Sequence, residues 1–101
     1  MFCFTLMKEI LLSFEWDENK NRATQIDRDL TFEGAKKIWE DPKRLILEEN
    51  YRGGEHRWVM IGKLNGVCHT VIYTIREEST YRIISVRRSR PKEIAIYANQ
   101  E

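Results

Sequence analysis

The sequence predicts an α+β domain in which two helices precede an antiparallel sheet of four to five strands and a short helix follows it. Three observations carry that prediction. From Asp17 to Glu40 the apolar residues fall at helical spacing behind two capping side chains, Asp17 and Thr31. From Leu45 onward the apolar positions become β-branched and strand-like, interrupted by Gly53-Gly54 and by Asn65-Gly66, a hairpin signal that tolerates positive φ. The last apolar run, Tyr81 to Arg88, passes into Ser89-Arg90-Pro91-Lys92-Glu93, which reads as a helix start. Consecutive strands with short connections form an antiparallel meander, and helices placed before and after it cover one face.

Taken in order, Leu11, Leu12 and Phe14 form a short apolar strand that gives way at Glu15-Trp16 to Asp17, the N-cap of the first helix. Lys20 falls in its first turn, Ala23 and Ile26 share one face, and it ends near Asp27-Arg28-Asp29. So polar a helix packs weakly. Thr31 caps the second helix, in which Phe32, Ala35, Ile38 and Trp39 make one face, running to about Glu40 before Asp41-Pro42 stops it. Leu45 to Leu47 is a short strand and Glu48 to Gly54 a polar loop. The strands Glu55 to Gly62 and Val67 to Ile75 follow, then the loop Arg76 to Thr80 and the strand Tyr81 to Arg88. In the closing helix Ser89 or Arg90 stands near the cap, with Pro91 in the first turn and Glu93 favoured by the macrodipole.

A chain of 101 residues with 42% hydrophobic content suits a single domain, residues 1–101, with one modest core. Lys plus Arg number 17 and Asp plus Glu 16, so any nucleic-acid binding must come from charge separation rather than net charge. Such a separation exists: of the twelve residues from Tyr81 to Lys92, five are Arg or Lys and none is acidic. The natural counter-ion of this cluster is a phosphate chain; the plainer reading is a solvated rim that keeps a sheet edge from pairing. Arg87 and Arg88 are successive strand residues and must point to opposite faces. Cys3 and Cys68 give neither a disulfide framework nor a metal-ligand spacing, and reduced thiols are expected. Met1 to Leu12 is apolar, but Lys8 and Glu9 interrupt it and no cleavage site follows, so a cytoplasmic protein without a membrane span is expected. Met7 is an alternative start, which leaves Met1 to Leu6 as a non-essential extension.

Two histidines are present, neither with a partner at zinc-site spacing, so no metal and no cofactor is expected. His69 lies mid-strand and reads as a partly buried sheet residue ahead of a catalytic one. His56, beside Gly53-Gly54, is the better placed general base. Trp39 reads as core, whereas Tyr81 and Tyr97 flank the basic cluster and are placed to stack on a base or donate a proton. No Gly-rich phosphate loop, nucleophile elbow or paired-carboxylate signature is present. Chemistry by cations and hydrogen-bond donors remains.

Several short motifs, in order, resemble the BrnT family of bacterial type II toxins, ribonucleases with a RelE-like fold. They are Phe14-Glu15-Trp16-Asp17 with Lys20, Phe32-Glu33 with Ala35, Asp41-Pro42, Arg57-Trp58 with Ile61-Gly62, and Val71 to Thr74. The C-terminal block is Arg82-Ile83-Ile84-Ser85 with Arg87, Glu93 and Tyr97. The likeness spans nearly everything after Leu12, with one departure: relatives usually carry Lys-His-Gly where this chain has Asp27-Arg28-Asp29. The resemblance implies a toxin that cuts mRNA, is neutralised by a BrnA-type antitoxin and meets DNA only through that partner. The alternative is a binding module of the same fold with weakened or lost catalysis. A metal-free ribonuclease uses the RNA's own 2′-hydroxyl as nucleophile and needs cations, a base and an acid. For those roles the candidates are Arg87, Arg88, His56, Tyr97 and Lys20, with Arg57, Arg82, Tyr81, Ser85, Arg90 and Lys92 as RNA contacts.

Overall fold

In the computed structural model, which describes residues 12–100, one five-stranded sheet carries three α-helices and a 3₁₀ segment. Strand β1 is Ser13–Trp16, followed by helix α1 (Glu18–Arg28), helix α2 (Phe32–Ala35) and the 3₁₀ segment Lys36–Glu40. Strands β2 (Leu45–Arg52), β3 (Glu55–Leu64), β4 (Val67–Arg76) and β5 (Thr80–Arg88) then form a meander, and helix α3 (Pro91–Ala98) closes the chain. The expected strand residue Leu11, Cys3 and the Met1 to Leu6 extension lie outside the described residues. No described helix is long and apolar enough to cross a membrane.

The strand order is β1-β5-β4-β3-β2, and β1 runs parallel to β5. The sheet is therefore mixed, correcting the purely antiparallel expectation. The cause lies in the connection: the helical segments carry the chain from β1 at one edge of the sheet to β2 at the other, and the three reversals of the meander then bring β5 alongside β1 in the same direction. The expected loop after Leu47 is also corrected. Gly53 and Gly54 both take positive φ (59° and 80°) and turn the chain in two residues, so β2 extends to Arg52 and pairs with β3 across an irregularity between Glu48 and Tyr51. As an edge strand, β2 tolerates that polar sequence.

The second helix is shorter than expected, tightening to 3₁₀ winding after Ala35. Asp41 precedes a proline and is extended (φ −69°, ψ 116°), which ends the helix. Ile38 and Trp39 are both buried there, and they join Phe32, Ala35, Met60, Val71, Tyr73, Ile83 and Val86 in the core. Gly62 allows this approach, since a Cβ added there meets Ile38 Cγ2 at 2.8 Å. Helix α1, by contrast, buries no residue, and Ile26 is 83% exposed. It is held near its ends instead. The Asp17 side chain accepts from the Asn19 N–H at 2.8 Å, Asn21 Oδ1 accepts from the Phe32 N–H at 2.9 Å, and Arg28 Nη1 donates to the Val86 carbonyl at 2.9 Å.

One irregularity fixes which residues of β5 face the core. Tyr73 pairs with Ile83 but Ile72 pairs with Ser85, so Ile84 is an extra residue in β5. Ile83 and Val86, three apart, thereby both turn inward and are 1% and 0% exposed. Beyond the bulge, every β5 residue is shifted by one relative to β4.

Candidate active site

Past the bulge, His69 on β4 pairs with Arg88 on β5, and Gly62 on β3 pairs with His69. Alternation puts Leu64, Val67, His69 and Arg88 on one face of the sheet, the core side, at the end where the Asn65-Gly66 turn closes the β3–β4 hairpin. The C-terminal end of α1 comes down over this end. Asp29 forms its C-cap in the left-handed region (φ 57°), donating its N–H to the Gln25 carbonyl at 3.0 Å. Between them opens a cleft of about 270 Å³ whose lining includes Arg28, Asp29, Asn65, His69 and Arg88.

The cleft brings two guanidiniums, one imidazole and one carboxylate together. His69 is only 4% exposed, and its Nδ1 lies 2.8 Å from the Val67 carbonyl oxygen. A carbonyl only accepts, so Nδ1 carries the proton, and in the neutral ring Nε2 is the nitrogen with a lone pair. Arg28 lines a second cleft too, of about 360 Å³, between α1 and the bulge, together with Lys20, Asp27, Ile84 and Ser85. Arg28 thus joins the two clefts along the α1 side of β5.

The remaining residues expected at the site are placed elsewhere. Arg87 pairs with Thr70 and so points to the opposite face, where its guanidinium grips both oxygens of Glu93 at 2.8 and 2.7 Å. Thr70 Oγ1 and the Arg90 N–H also donate to Glu93 Oε1, at 3.0 and 2.7 Å. The Arg87 guanidinium above all holds the Glu93 carboxyl down to about 2; the Arg90 and Thr70 hydrogen bonds assist, against the upward push of burial. On α3, the Tyr97 hydroxyl donates to Asp41 Oδ2 at 2.6 Å, and burial together with that carboxylate pushes its pKa up to about 12. Burial raises the Asp41 carboxyl, but hydrogen bonds from Tyr97 and from the Lys43 and Lys63 N–H groups outweigh it and leave it lowered.

His56 stacks on Trp58 with ring centres 4.3 Å apart, and its Nε2 contacts the Glu48 carboxylate. Six residues along β3 separate it from Gly62, the partner of His69, which at about 3.3 Å per residue is roughly 20 Å. The sheet does not bring His56 to the cleft. Tyr81 packs against Phe14, Trp39 and Tyr73, Arg82 pairs with Glu15 at 3.0 Å, and Arg57 lies 3.6 Å from Glu55. Lys92 is exposed on α3. Among the described residues no group of three or more His, Cys, Asp or Glu side chains is gathered as a metal site requires, and Cys68 is a free thiol.

Of the residues expected to act, Arg88 thus meets His69 and Arg28, and Lys20 meets Ser85 next door. Sequence reading gave Arg28 no role of its own and placed a structural reading of His69 ahead of a catalytic one. The available signal was strand pairing: counted back from the Arg76–Thr80 turn, a regular hairpin sets His69 opposite Arg87, and the bulge alone moves it to Arg88.

A sequence model of the family described as ribonuclease toxin, BrnT, of type II toxin-antitoxin system matches residues 16–93. The fold is similar to that of the crystal structure of the Brucella abortus ribonuclease toxin, BrnT, with a TM-score of 0.58 and 20% identity over 78% of this chain and 97% of that one. No curated protein matches.

Proposed function

Because this chain belongs to the BrnT family of ribonuclease toxins of type II toxin-antitoxin systems, we propose that it cuts mRNA in the cytoplasm without a metal ion, so halting translation, and that a BrnA-type antitoxin neutralises it. The observation that carries this reading is the cleft in which Arg28 and Arg88 converge. Cleavage by the RNA's own 2′-hydroxyl crowds negative charge onto a pentacoordinate phosphate. Guanidiniums aimed at that phosphate stabilise its charge more than they stabilise the ground state. They are also suited to holding one phosphate in line for attack, a positioning effect that alone can supply several powers of ten. Lys20 and Ser85, in the adjoining cleft with Arg28, extend the path for the neighbouring nucleotides.

The antitoxin is most simply an occluding partner: a standard interface buries roughly 1,200–2,000 Å² in total, so one on a domain this small overlaps the cleft or its approaches. Acidic residues facing the Tyr81 to Lys92 segment give fast capture, and apolar burial gives retention. The test is incubation of the purified, antitoxin-free protein with defined RNA in excess chelator. New ends carrying a 2′,3′-cyclic phosphate are expected. Loss of cleavage in chelator with rescue by a divalent ion overturns the metal-free mechanism, and intact RNA under all conditions overturns the nuclease reading.

A further inference from the structure

We propose that His69 is the general base of the cleft, the group that takes the proton from the RNA 2′-hydroxyl. This rests on the ribonuclease reading above and goes beyond it by assigning the proton transfer. Three placements carry it. His69 lies directly across the β4–β5 ladder from Arg88 and lines the same cleft as Arg28, so a phosphate held by the two guanidiniums lies beside the imidazole. Its Nδ1 is committed to the Val67 carbonyl at 2.8 Å, which fixes both ring orientation and tautomer and leaves Nε2 as the proton acceptor. It is also the one imidazole lining the cleft, and guanidiniums do not accept protons at neutral pH.

The step balances without any co-reactant. As the 2′-oxygen bonds to phosphorus, its proton passes to Nε2; the bond from phosphorus to the 5′-oxygen breaks, and that oxygen takes a proton from water. The imidazolium returns its proton to the hydroxide so formed, leaving a 2′,3′-cyclic phosphate and a 5′-hydroxyl. The charged groups lining the cleft around the ring are Arg28 and Asp29 from the end of α1 and Arg88 from β5.

The test compares wild type with His69→Asn, whose amide still donates toward the Val67 carbonyl, and with His69→Gln. Three quantities are read: the single-turnover cleavage rate of a defined RNA against pH, the affinity for the same sequence as 2′-O-methyl RNA, and the melting temperature. General-base loss is expected to slow cleavage about 10²- to 10⁴-fold, while affinity for the uncleavable RNA stays within about threefold. The wild-type rate profile is expected to carry a limb that falls on the acid side, and a folded variant to lack that limb. Arg88→Ala, in contrast, loses affinity and rate together.

A variant rate within about threefold of wild type, an acid limb that survives substitution, or affinity that falls in step with the rate overturns the assignment. If neither variant folds, a wild-type profile with no acid limb overturns it. A wild type that leaves RNA intact fails one level higher, taking the nuclease reading down with it.

Discussion

Glu93 offers a direct measure of how much the ion pair behind the cleft contributes to the fold. In Glu93→Gln the side chain keeps its size and loses its charge. The carboxyl's ordinary pKa of 4.5 falls to about 2 beside Arg87, and at about 1.4 kcal/mol per pH unit this corresponds to about 3 kcal/mol. Both side chains are four-fifths buried, at 20% and 19% exposure, so solvent screens little of it. A lowered pKa means the contribution is fully present above pH 4.5 and is lost as the pH falls through about 2, below which folded and unfolded chains alike hold the proton. Urea unfolding of both proteins from pH 7 to pH 2 should show the variant less stable by about 2–3 kcal/mol at neutral pH, melting roughly 10–20 °C lower. The two curves should converge near pH 2. Asp41, also lowered, is common to both proteins and cancels in the difference. A gap that stays constant from pH 7 to pH 2 refutes the argument, because only a packing defect ignores the proton.

The same geometry separates the two neighbouring arginines. Arg88→Ala should abolish most toxicity with a melting temperature close to wild type, whereas Arg87→Ala, which leaves the Glu93 carboxylate without its bidentate partner, should lower stability by about 2–3 kcal/mol; thermal melts beside growth assays distinguish them. Asp29→Gly should raise stability by about 0.5–1 kcal/mol, since Asp29 sits at φ 57°. It also removes the one carboxylate of the cleft, and RNA titration should show tighter binding. Tyr97→Phe should leave RNA cleavage intact and cost about 1 kcal/mol, the worth of its hydrogen bond to Asp41. Gly62→Val should destabilise by about 1–3 kcal/mol by pushing against Ile38; an unchanged melt shows that the 3₁₀ segment yields freely.

Much of this protein is written locally. Asp17 and Thr31 cap their helices, Asn65-Gly66 turns its hairpin and Pro91 opens the last helix because each acts within a few residues, through φ preference or a side chain bonded to a nearby N–H. The helical periodicity of Phe32, Ala35, Ile38 and Trp39 likewise named four of the nine residues of the core cluster. The short motifs that point to the BrnT family are local in the same sense.

The site is different, because its members lie on α1, β4 and β5 and meet only when the sheet closes. Local pattern gave β2 too little length, since pairing with β3, not its own polar residues, holds it extended. It gave β1 the wrong sense, since its orientation beside β5 depends on how the whole meander is laid across the sheet. What the amino-acid sequence by itself determined is the set of helices, turns and strands and the presence of a cation cluster at the end of β5. Only the tertiary structure decided which cation enters the cleft: one extra residue at Ile84 rotates the rest of β5 by one position, turning Arg88 toward His69 and Arg87 toward Glu93. Side chains alternate along a strand with a period of two, so a shift of a single residue exchanges the two faces completely.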